Sequence, residues 1–429
     1  MIFIEKIVII ACGMLKGEVM NIKRDLYLTQ LIDRKHNGLI KIISGIRRCG
    51  KSYLLFELFQ NYLINEGVHT DHIITIALDN YEQEKYRDPD VCYHFVKDQI
   101  QDDKMYYFLL DEVQLMPKFE SVLNGLMRIK NLDIYVTGSN SKFLSKDVVT
   151  EFRGRGDEVR IYPLNFNEFF SIYEGGWHEA WREYSVYGGM PLVLSHKKNA
   201  DKMKYLKNLF KETYLRDIVA RNNIKHTEEL EELLNIVASG VGSLTNPQKL
   251  ADTFKSVKHV NLSAPTIKQY LDYLEDAFIV QKVLRYDIKG KKYMNTPYKY
   301  YFVDPGIRNA RLDFRQLEPT HMMENVIYNE LNIRGYSVDV GNQILNSERK
   351  MTEIDFVVNQ GSKRYYIQSV WNMPTIEKKR IEERPFLEIK DSFKKIIITG
   401  DDVEPYYDEN GILIIGLKDF LVNQNSLEI

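Results

Sequence analysis

Short apolar runs alternate with longer amphipathic stretches through the first third of the chain. Four runs of about five to seven residues are rich in Ile, Val, Leu or aromatic side chains. They are Leu39–Ser44, His72–Leu78, Tyr106–Leu110 and Asp133–Thr137. Continuous apolar runs of this length are typical of strands buried on both faces, and strands that alternate with helices form parallel sheets with crossover helices. The pattern therefore predicts an α/β core with a parallel sheet.

After this core the pattern becomes helical. Residues 204–224 carry apolar side chains at close to helical spacing. Asn246 followed by Pro247 predicts an N-cap and the first helical position, and Ser263 predicts the cap of a second helix. The apolar stripe of that second helix is Ile267, Tyr270, Leu271, Leu274, Ala277 and Phe278. The two helices, with the strand-like Tyr298–Val303, resemble a winged helix-turn-helix.

The last part of the chain returns to a mixed α/β pattern. A helix is predicted over Met322–Ile333, followed by strands over Glu353–Val358, Tyr365–Val370 and Lys395–Thr399. The predicted segments are an N-terminal extension at 1–20, the α/β core at 21–165, a helical region at 166–228, a winged-helix-like segment at 229–310 and a second α/β domain at 311–429.

Composition narrows the compartment and the partners. The 58 Lys and Arg residues nearly balance the 60 Asp and Glu residues, so no overall field attracts the chain to nucleic acid or to an anionic membrane. Cys12, Cys49 and Cys92 have no close pairing and no metal-ligand spacing, which favours a reducing compartment, the cytoplasm. Apart from its first residues, the chain has no apolar run of about 20 residues, so no membrane span is predicted.

The first twenty residues have two interpretations. The apolar residues 7–12 follow Lys6, as in a short secretory signal, but Glu5 and Lys6 interrupt the apolar stretch. The alternative is that Met20 is the natural start and that the preceding residues are a translation artefact or a loose tail. We favour the second interpretation because the apolar core of a secretory signal is not interrupted by charged residues.

A glycine-rich loop lies between the first predicted strand and a helix. Its residues are Gly45, Ile46, Arg47, Arg48, Cys49, Gly50, Lys51 and Ser52. This spacing is that of a P-loop, in which backbone N–H groups surround phosphates at the positive end of a helix. Lys51 is expected to contact the β- and γ-phosphates, and the Ser52 hydroxyl is expected to bind Mg²⁺. The sequence therefore predicts a site for ATP with Mg²⁺.

Acidic and polar residues follow two later strands. Asp111 and Glu112 end the strand Tyr106–Leu110, where a Walker B pair belongs: Asp111 would hold Mg²⁺, and Glu112 would orient or deprotonate the attacking water. Ser139 and Asn140 follow the next strand and are either γ-phosphate sensors or part of an ordinary turn.

Two arginines, Arg153 and Arg155, lie in a loop with glycines, Phe152–Gly156. One of them could complete the site of a neighbouring subunit as an arginine finger; the alternative is a solvated basic loop.

Several motifs together resemble a family of bacterial and archaeal AAA+-like ATPases whose members carry a C-terminal domain of unknown function. They are Gly45–Ser52, Leu109–Gln114, Thr137–Asn140, Tyr162–Phe169, Tyr214–Ile218, Tyr300–Gly306 and Glu324 with Asn325. The resemblance covers nearly all of the chain from Met20. It implies an ATPase that works as a homo-oligomer, with Arg155 as the better finger candidate.

The resemblance also implies a restriction-endonuclease-like fold for the last domain. In such folds a helix Glu, a strand Asp and a following Glu/Gln-x-Lys hold metal and activate water. Glu324, Asp355 and Gln368 match the first three positions, but Val370 stands where the lysine belongs. The resemblance therefore implies cleavage only if another group, such as Lys363 or Arg364, replaces that lysine.

Three functional hypotheses follow. The first is an ATP-dependent switch or remodelling ATPase whose helical, winged-helix and C-terminal parts act on DNA, RNA or another protein. The second is a metal-dependent nuclease gated by ATP. The third is a signalling or defence scaffold that ATP locks into an assembly with negligible turnover.

Overall fold

The structure is a computed structural model that describes residues 22–138, 154–258, 262–345 and 350–429. The chain divides into two compact units. The first runs to Pro163 and includes Asp276–Phe278, and the second contains the other residues from Leu164 onward. No helix in the described ranges combines the length and the apolar character needed to cross a bilayer.

The first unit is built on a five-stranded parallel sheet in the order β2-β3-β4-β1-β5. Its strands are β1 Ile40–Ser44, β2 Ile73–Ala77, β3 Tyr106–Asp111, β4 Leu132–Gly138 and β5 Gly156–Arg160. Its helices are α1 Asp25–Asp33, α2 at 51–65, α3 Pro89–Gln99 and α4 Phe119–Leu126, with 3₁₀ turns at Thr70–His72, Tyr81–Arg87 and Val113–Leu115. The α/β prediction and its parallel sheet are confirmed.

Burial explains which strands the sequence reveals. Every residue of β1, β3 and β4 is buried, so each has the continuous apolar run of a central strand. The four predicted strands agree with the structure to within one residue at each end. β5 was not predicted, because it is an edge strand in which only Val159 is buried and its sequence has no apolar run.

The second unit contains an eight-stranded mixed sheet in the order β12-β13-β11-β10-β9-β8-β6-β7. Its strands are β6 Val280–Asp287, β7 Lys292–Phe302, β8 Ser337–Leu345, β9 Lys350–Gln360, β10 Lys363–Val370, β11 Lys394–Thr399, β12 Tyr406–Tyr407 and β13 Leu413–Gly416. Its helices are α5 Phe166–Phe170, α6 Trp177–Tyr187, α7 at 199–222, α8 Thr227–Ser239, α9 at 247–258, α10 Ala264–Asp276, α11 Pro305–Arg311, α12 Pro319–Ile333, α13 Ile376–Leu387 and α14 Leu417–Val422, with a 3₁₀ turn at Pro191–Val193.

The two helices of the winged-helix-like segment begin where their caps predict. The Asn246 side chain accepts a hydrogen bond from the Lys249 N–H at 2.8 Å, and the Ser263 hydroxyl accepts one from the Thr266 N–H at 3.2 Å. The strands of this segment, β6 and β7, form the edge of the eight-stranded sheet, because β6 also pairs with β8. The boundary expected between residues 310 and 311 falls in helix α11 and would separate strands that share one sheet.

Candidate nucleotide-binding site

The glycine-rich loop connects the carboxyl end of β1 to the start of α2. Gly45, Arg48 and Gly50 have φ values of +144°, +67° and +103°, in the region that favours glycine. A Cβ atom on Gly45 would lie 2.2 Å from the carbonyl oxygen of Ile161, so no larger residue fits there. The loop thus makes the tight turn into the following helix that a P-loop requires.

Lys51 is buried at the start of α2. Its Nζ donates hydrogen bonds to the carbonyl oxygens of Gly45 and Ile46, both at 3.1 Å. A phosphate at this loop would offer the ammonium charged acceptors, which form stronger hydrogen bonds than neutral carbonyls do. Ile46 and Cys49 are also buried, and the Cys49 thiol lies 3.8 Å from the Ile161 carbonyl oxygen. The side chains of Arg47 and Arg48 are exposed.

Ser52 and Asp111 meet at the carboxyl edge of the sheet. The Ser52 hydroxyl donates to Asp111 Oδ2 at 2.7 Å, and the Thr137 hydroxyl donates to Asp111 Oδ1. Burial and the neighbouring Glu112 raise the pKa of Asp111 to about 6, although the two hydroxyl donors oppose the shift. Asp111 is therefore mainly a carboxylate at neutral pH.

The oxygen pair fits the coordination chemistry of Mg²⁺. Octahedral Mg²⁺ with ligands at about 2.1 Å places adjacent ligand oxygens about 3.0 Å apart. The 2.7 Å separation of the Ser52 and Asp111 oxygens is close to that edge, and a hydroxyl with a carboxylate is a donor set that Mg²⁺ accepts. These two residues could hold the ion directly or through its water.

Glu112 has a strained backbone next to this pair. Its φ is +53°, an uncommon value for a residue other than glycine, and such conformations cluster at functional sites. Its N–H donates to the Thr137 hydroxyl at 3.0 Å, and the Gln114 side-chain amide donates to its carboxylate. Thr137 thus holds the backbone of Glu112 beside Asp111, and Gln114 holds its half-buried carboxylate.

Sequence reasoning missed two residues at this edge. Thr137 bonds both Asp111 and Glu112, whereas the sensor candidates Ser139 and Asn140 lie outside the described residues. Partial desolvation and the Glu112 carboxylate raise the pKa of Asp79, a third acid, which follows β2. The sequence does contain a signal for Thr137 and Asp79. Each is a polar residue at or just after the end of a predicted strand, as Asp111 is.

Arg155 lies at the other end of β1. Its carbonyl accepts the Ile40 N–H at 2.9 Å, and its exposed guanidinium lies 3.4 Å from Asn124 Oδ1. The P-loop leaves the opposite end of that strand, about 15 Å away at 3.3 Å per residue. The backbone of Arg155 therefore lies far from the P-loop of its own chain.

The C-terminal acidic residues surround a lysine that sequence reasoning missed. Nζ of Lys299, on β7, lies 2.8 Å from Glu324, 2.7 Å from Glu353 and 4.0 Å from Asp355. Burial lowers the pKa of Lys299, but the three carboxylates outweigh it and raise the value. Lys299 lies on a strand far from Gln368 in the sequence, so the spacing of the Glu/Gln-x-Lys motif does not reveal it.

These residues do not fit a metal. The ammonium of Lys299 lies between the Glu324 and Glu353 carboxylates, where a cation would bind, and Gln368 Oε1 accepts the Asp355 N–H at 3.4 Å. In the part of the chain that the structure describes, no group of three or more His, Cys, Asp or Glu residues could hold a metal ion.

Comparisons with known proteins agree with the P-loop geometry. Residues 37–170 match an AAA domain, and residues 178–318 match a domain of unknown function, DUF8612. An uncharacterized protein of Haemophilus influenzae is 35% identical over 410 residues, which cover 94% of this chain and 98% of that one. An uncharacterized protein of Methanocaldococcus jannaschii, MJ1544, is 27% identical over 408 residues, with 90% and 86% covered.

Among solved structures, a Walker-type ATPase of Pyrococcus abyssi is similar, with 16% identity and a TM-score of 0.46 over 68% of this chain and 96% of that one. The AAA match contains the P-loop, Asp111 and Glu112, and the Haemophilus relative extends over nearly the whole of both chains. The chain therefore belongs to a family of AAA-domain P-loop proteins that continue into a domain of unknown function, as the resemblance of its motifs implied.

Proposed function

We propose that this protein binds ATP with Mg²⁺, hydrolyses it, and uses the change of nucleotide as a switch or remodeller of a target. The observation that carries the proposal is the 2.7 Å contact between Ser52 and Asp111 beside Lys51. That contact joins the P-loop to the carboxyl end of β3. Chemistry of this class depends on positioning and charge stabilisation, and these groups are already positioned.

Each residue has a distinct role in the proposal. The N–H groups of residues 45–52 bind the phosphates, and Lys51 exchanges its two carbonyl acceptors for β- and γ-phosphate oxygens. Ser52 and Asp111 hold Mg²⁺, which when bound neutralises charge on the phosphates. Because Asp111 must be ionised for this role, its raised pKa predicts weaker binding below about pH 6.

Glu112 is the proposed base. Its carboxylate lies at the same edge as Asp111, where it can orient a water molecule for attack on the γ-phosphate and accept its proton. The Gln114 amide donates to this carboxylate, and the Thr137 hydroxyl accepts the backbone N–H of Glu112. With this base the protein would hydrolyse the ATP that it binds. An ATP-locked scaffold would bind ATP and hardly hydrolyse it.

Assembly and the target complete the proposal. Arg155 would act in trans as an arginine finger in a homo-oligomer, since it lies at the opposite end of β1 from its own P-loop. The target, a nucleic acid or a protein, would bind the second unit. We do not assign nuclease activity to that unit, because Lys299 lies between the carboxylates that would bind metal.

Two substitutions test ATP binding and hydrolysis. Lys51→Ala should abolish binding of Mg-ATP in calorimetry, because the phosphates lose their main countercharge. Glu112→Gln should bind Mg-ATP normally and lose steady-state hydrolysis by about 100-fold or more, the usual size of a general-base effect. Normal hydrolysis by Glu112→Gln would show that Glu112 is not the base. Tight binding with no turnover by the wild type would favour the scaffold.

A mixing experiment tests the arginine. Arg155→Ala and Glu112→Gln proteins should each be inactive, whereas their mixture should regain part of the activity because one mixed interface has both groups. No recovery in a mixture that forms mixed oligomers would refute the role in trans. The Glu112→Gln protein, held with ATP, is also the form with which to isolate the target from cells.

A further inference from the structure

Arg24 contacts the P-loop, although it belongs to no motif. It lies immediately before α1, and its side chain is only 3% exposed. Nη1 donates to the Cys49 carbonyl oxygen at 3.0 Å, and Nη2 donates to the Tyr162 carbonyl oxygen at 2.7 Å. Its guanidinium lies 4.6 Å from the centre of the Tyr27 ring, and the Tyr27 hydroxyl accepts the Tyr162 N–H at 3.2 Å. One buried arginine thus joins the P-loop to the segment that follows β5.

The contact with Cys49 controls the direction of a loop amide. The Cys49 carbonyl and the Gly50 N–H belong to one peptide group, and in a planar trans peptide they point in opposite directions. A carbonyl held toward Arg24 therefore directs the Gly50 N–H away from Arg24. Gly50, with φ at +103°, has no side chain to restrict rotation of that peptide, so the restraint must come from outside the glycine.

We propose that Arg24 is a positioning residue that fixes the Gly50 amide for binding the phosphates of the nucleotide. The inference rests on the proposed function, because it assumes that this loop binds ATP. On the other side of Gly50, its carbonyl accepts the Leu54 N–H at 3.0 Å in the first turn of α2. Arg24 and that turn together fix both peptides that flank Gly50, so the N–H is oriented before the nucleotide arrives.

Arginine suits this role better than lysine does. The planar guanidinium has donors in a fixed fork, and here two of them reach carbonyls from separate parts of the chain, Cys49 and Tyr162. Lysine has a single ammonium on a flexible stem and cannot reproduce the fork. The segment at Tyr162 also includes the Ile161 carbonyl that lies against Gly45. Arg24 thus restrains the loop close to both of its glycines.

The test compares two arginines on either side of α1. Arg24→Lys keeps the charge and loses the fork. Arg34→Ala is the control, because Arg34 lies just after the other end of the helix, where it pairs with Asp157 at 3.0 Å and donates to the Gln30 carbonyl oxygen at 2.9 Å. Mg-ATP and Mg-ADP affinities are measured by calorimetry, with Tm measured on the same samples. A misdirected hydrogen bond to a charged phosphate should weaken both affinities about 10- to 100-fold in Arg24→Lys. Arg34→Ala should change them less than about 3-fold.

Chemical rescue adds a readout that a purely structural role would not move. Arg24→Ala leaves room for a small cation, so methylguanidinium should restore Mg-ATP affinity to it in a saturable manner and should not affect Arg34→Ala. If Arg24→Ala does not fold, the Arg24→Lys affinities decide the question. Wild-type affinity in Arg24→Lys would overturn the inference, and so would a folded Arg24→Ala that methylguanidinium does not rescue.

The same measurements separate this inference from the proposed function. If neither the wild type nor Lys51→Ala binds Mg-ATP, the ATPase proposal fails, and the role of Arg24 fails with it. If the wild type binds Mg-ATP and Arg24→Lys binds it equally well, only the role of Arg24 is wrong.

Discussion

Replacing Thr137 with valine should loosen the edge of the sheet at which Asp111 and Glu112 lie. The fully buried Thr137 hydroxyl donates to Asp111 and accepts the Glu112 N–H at 3.0 Å. Valine has nearly the same shape but neither donates nor accepts a hydrogen bond. The substitution therefore removes a side chain that bonds both acidic residues, while the packing of β4 stays almost unchanged.

The expected magnitude follows from those two bonds. Loss of a hydrogen bond to a charged carboxylate costs about 1.5–3 kcal/mol, and loss of a neutral backbone bond costs about 1 kcal/mol. The added methyl group returns about 0.8 kcal/mol through burial. Thr137→Val should thus lower the local free energy of opening by about 2–3 kcal/mol. Thr137→Ser keeps the hydroxyl and should lose only about 1 kcal/mol, from the missing methyl group.

The assay must report on the first unit. The three tryptophans, Trp177, Trp181 and Trp371, all belong to the second unit, so tryptophan fluorescence follows the wrong part of the chain. Hydrogen exchange measured by mass spectrometry on peptides from β3 and β4 gives the local value directly. We expect exchange about 30- to 150-fold faster in Thr137→Val. Equal exchange in Thr137→Val and Thr137→Ser would refute the reasoning.

Three further predictions concern buried charge and glycine geometry. Lys299→Met should lower the free energy of unfolding by about 3–5 kcal/mol, because it leaves Glu324 buried without its cation. Adding Glu324→Gln should recover part of that loss in urea titrations, and an unchanged loss in the double variant would contradict the ion pair. Burial raises the pKa of Asp304 from 3.8 to about 6, so the folded state binds its proton more tightly than the unfolded state does. Stability should therefore fall, by at most about 3 kcal/mol, as the pH rises from about 4 to above 6. Asp304→Asn should remove this part of the pH dependence, and an unaltered slope would argue against it. Gly45→Ala should abolish Mg-ATP binding, since its Cβ would lie 2.2 Å from a backbone carbonyl oxygen, whereas Gly38→Ala, with nothing within 4 Å, should bind normally. Equal binding by the two alanine variants in calorimetry would refute the steric argument.

Local patterns were sufficient for the first four strands and for the central motif. Strands β1 to β4 were predicted to within one residue because each is a short apolar run whose residues are wholly or mostly buried in the parallel sheet. The P-loop was recognisable because its glycines, Lys51 and Ser52 are adjacent in the chain and lie between a strand and a helix. Asp111 and Glu112 followed because the carboxyl ends of neighbouring parallel strands meet at one edge.

Only the tertiary structure showed which distant side chains complete each cluster. The strand order places β4 between β3 and β1, and this brings the Thr137 hydroxyl to Asp111 and Glu112. Arg24 reaches the P-loop by packing before α1, and Lys299 reaches its carboxylates from another strand of the sheet. Such contacts produce no recognisable pattern in the sequence. A buried and an exposed lysine or arginine are the same residue type, and they differ only in the groups that the fold packs around them.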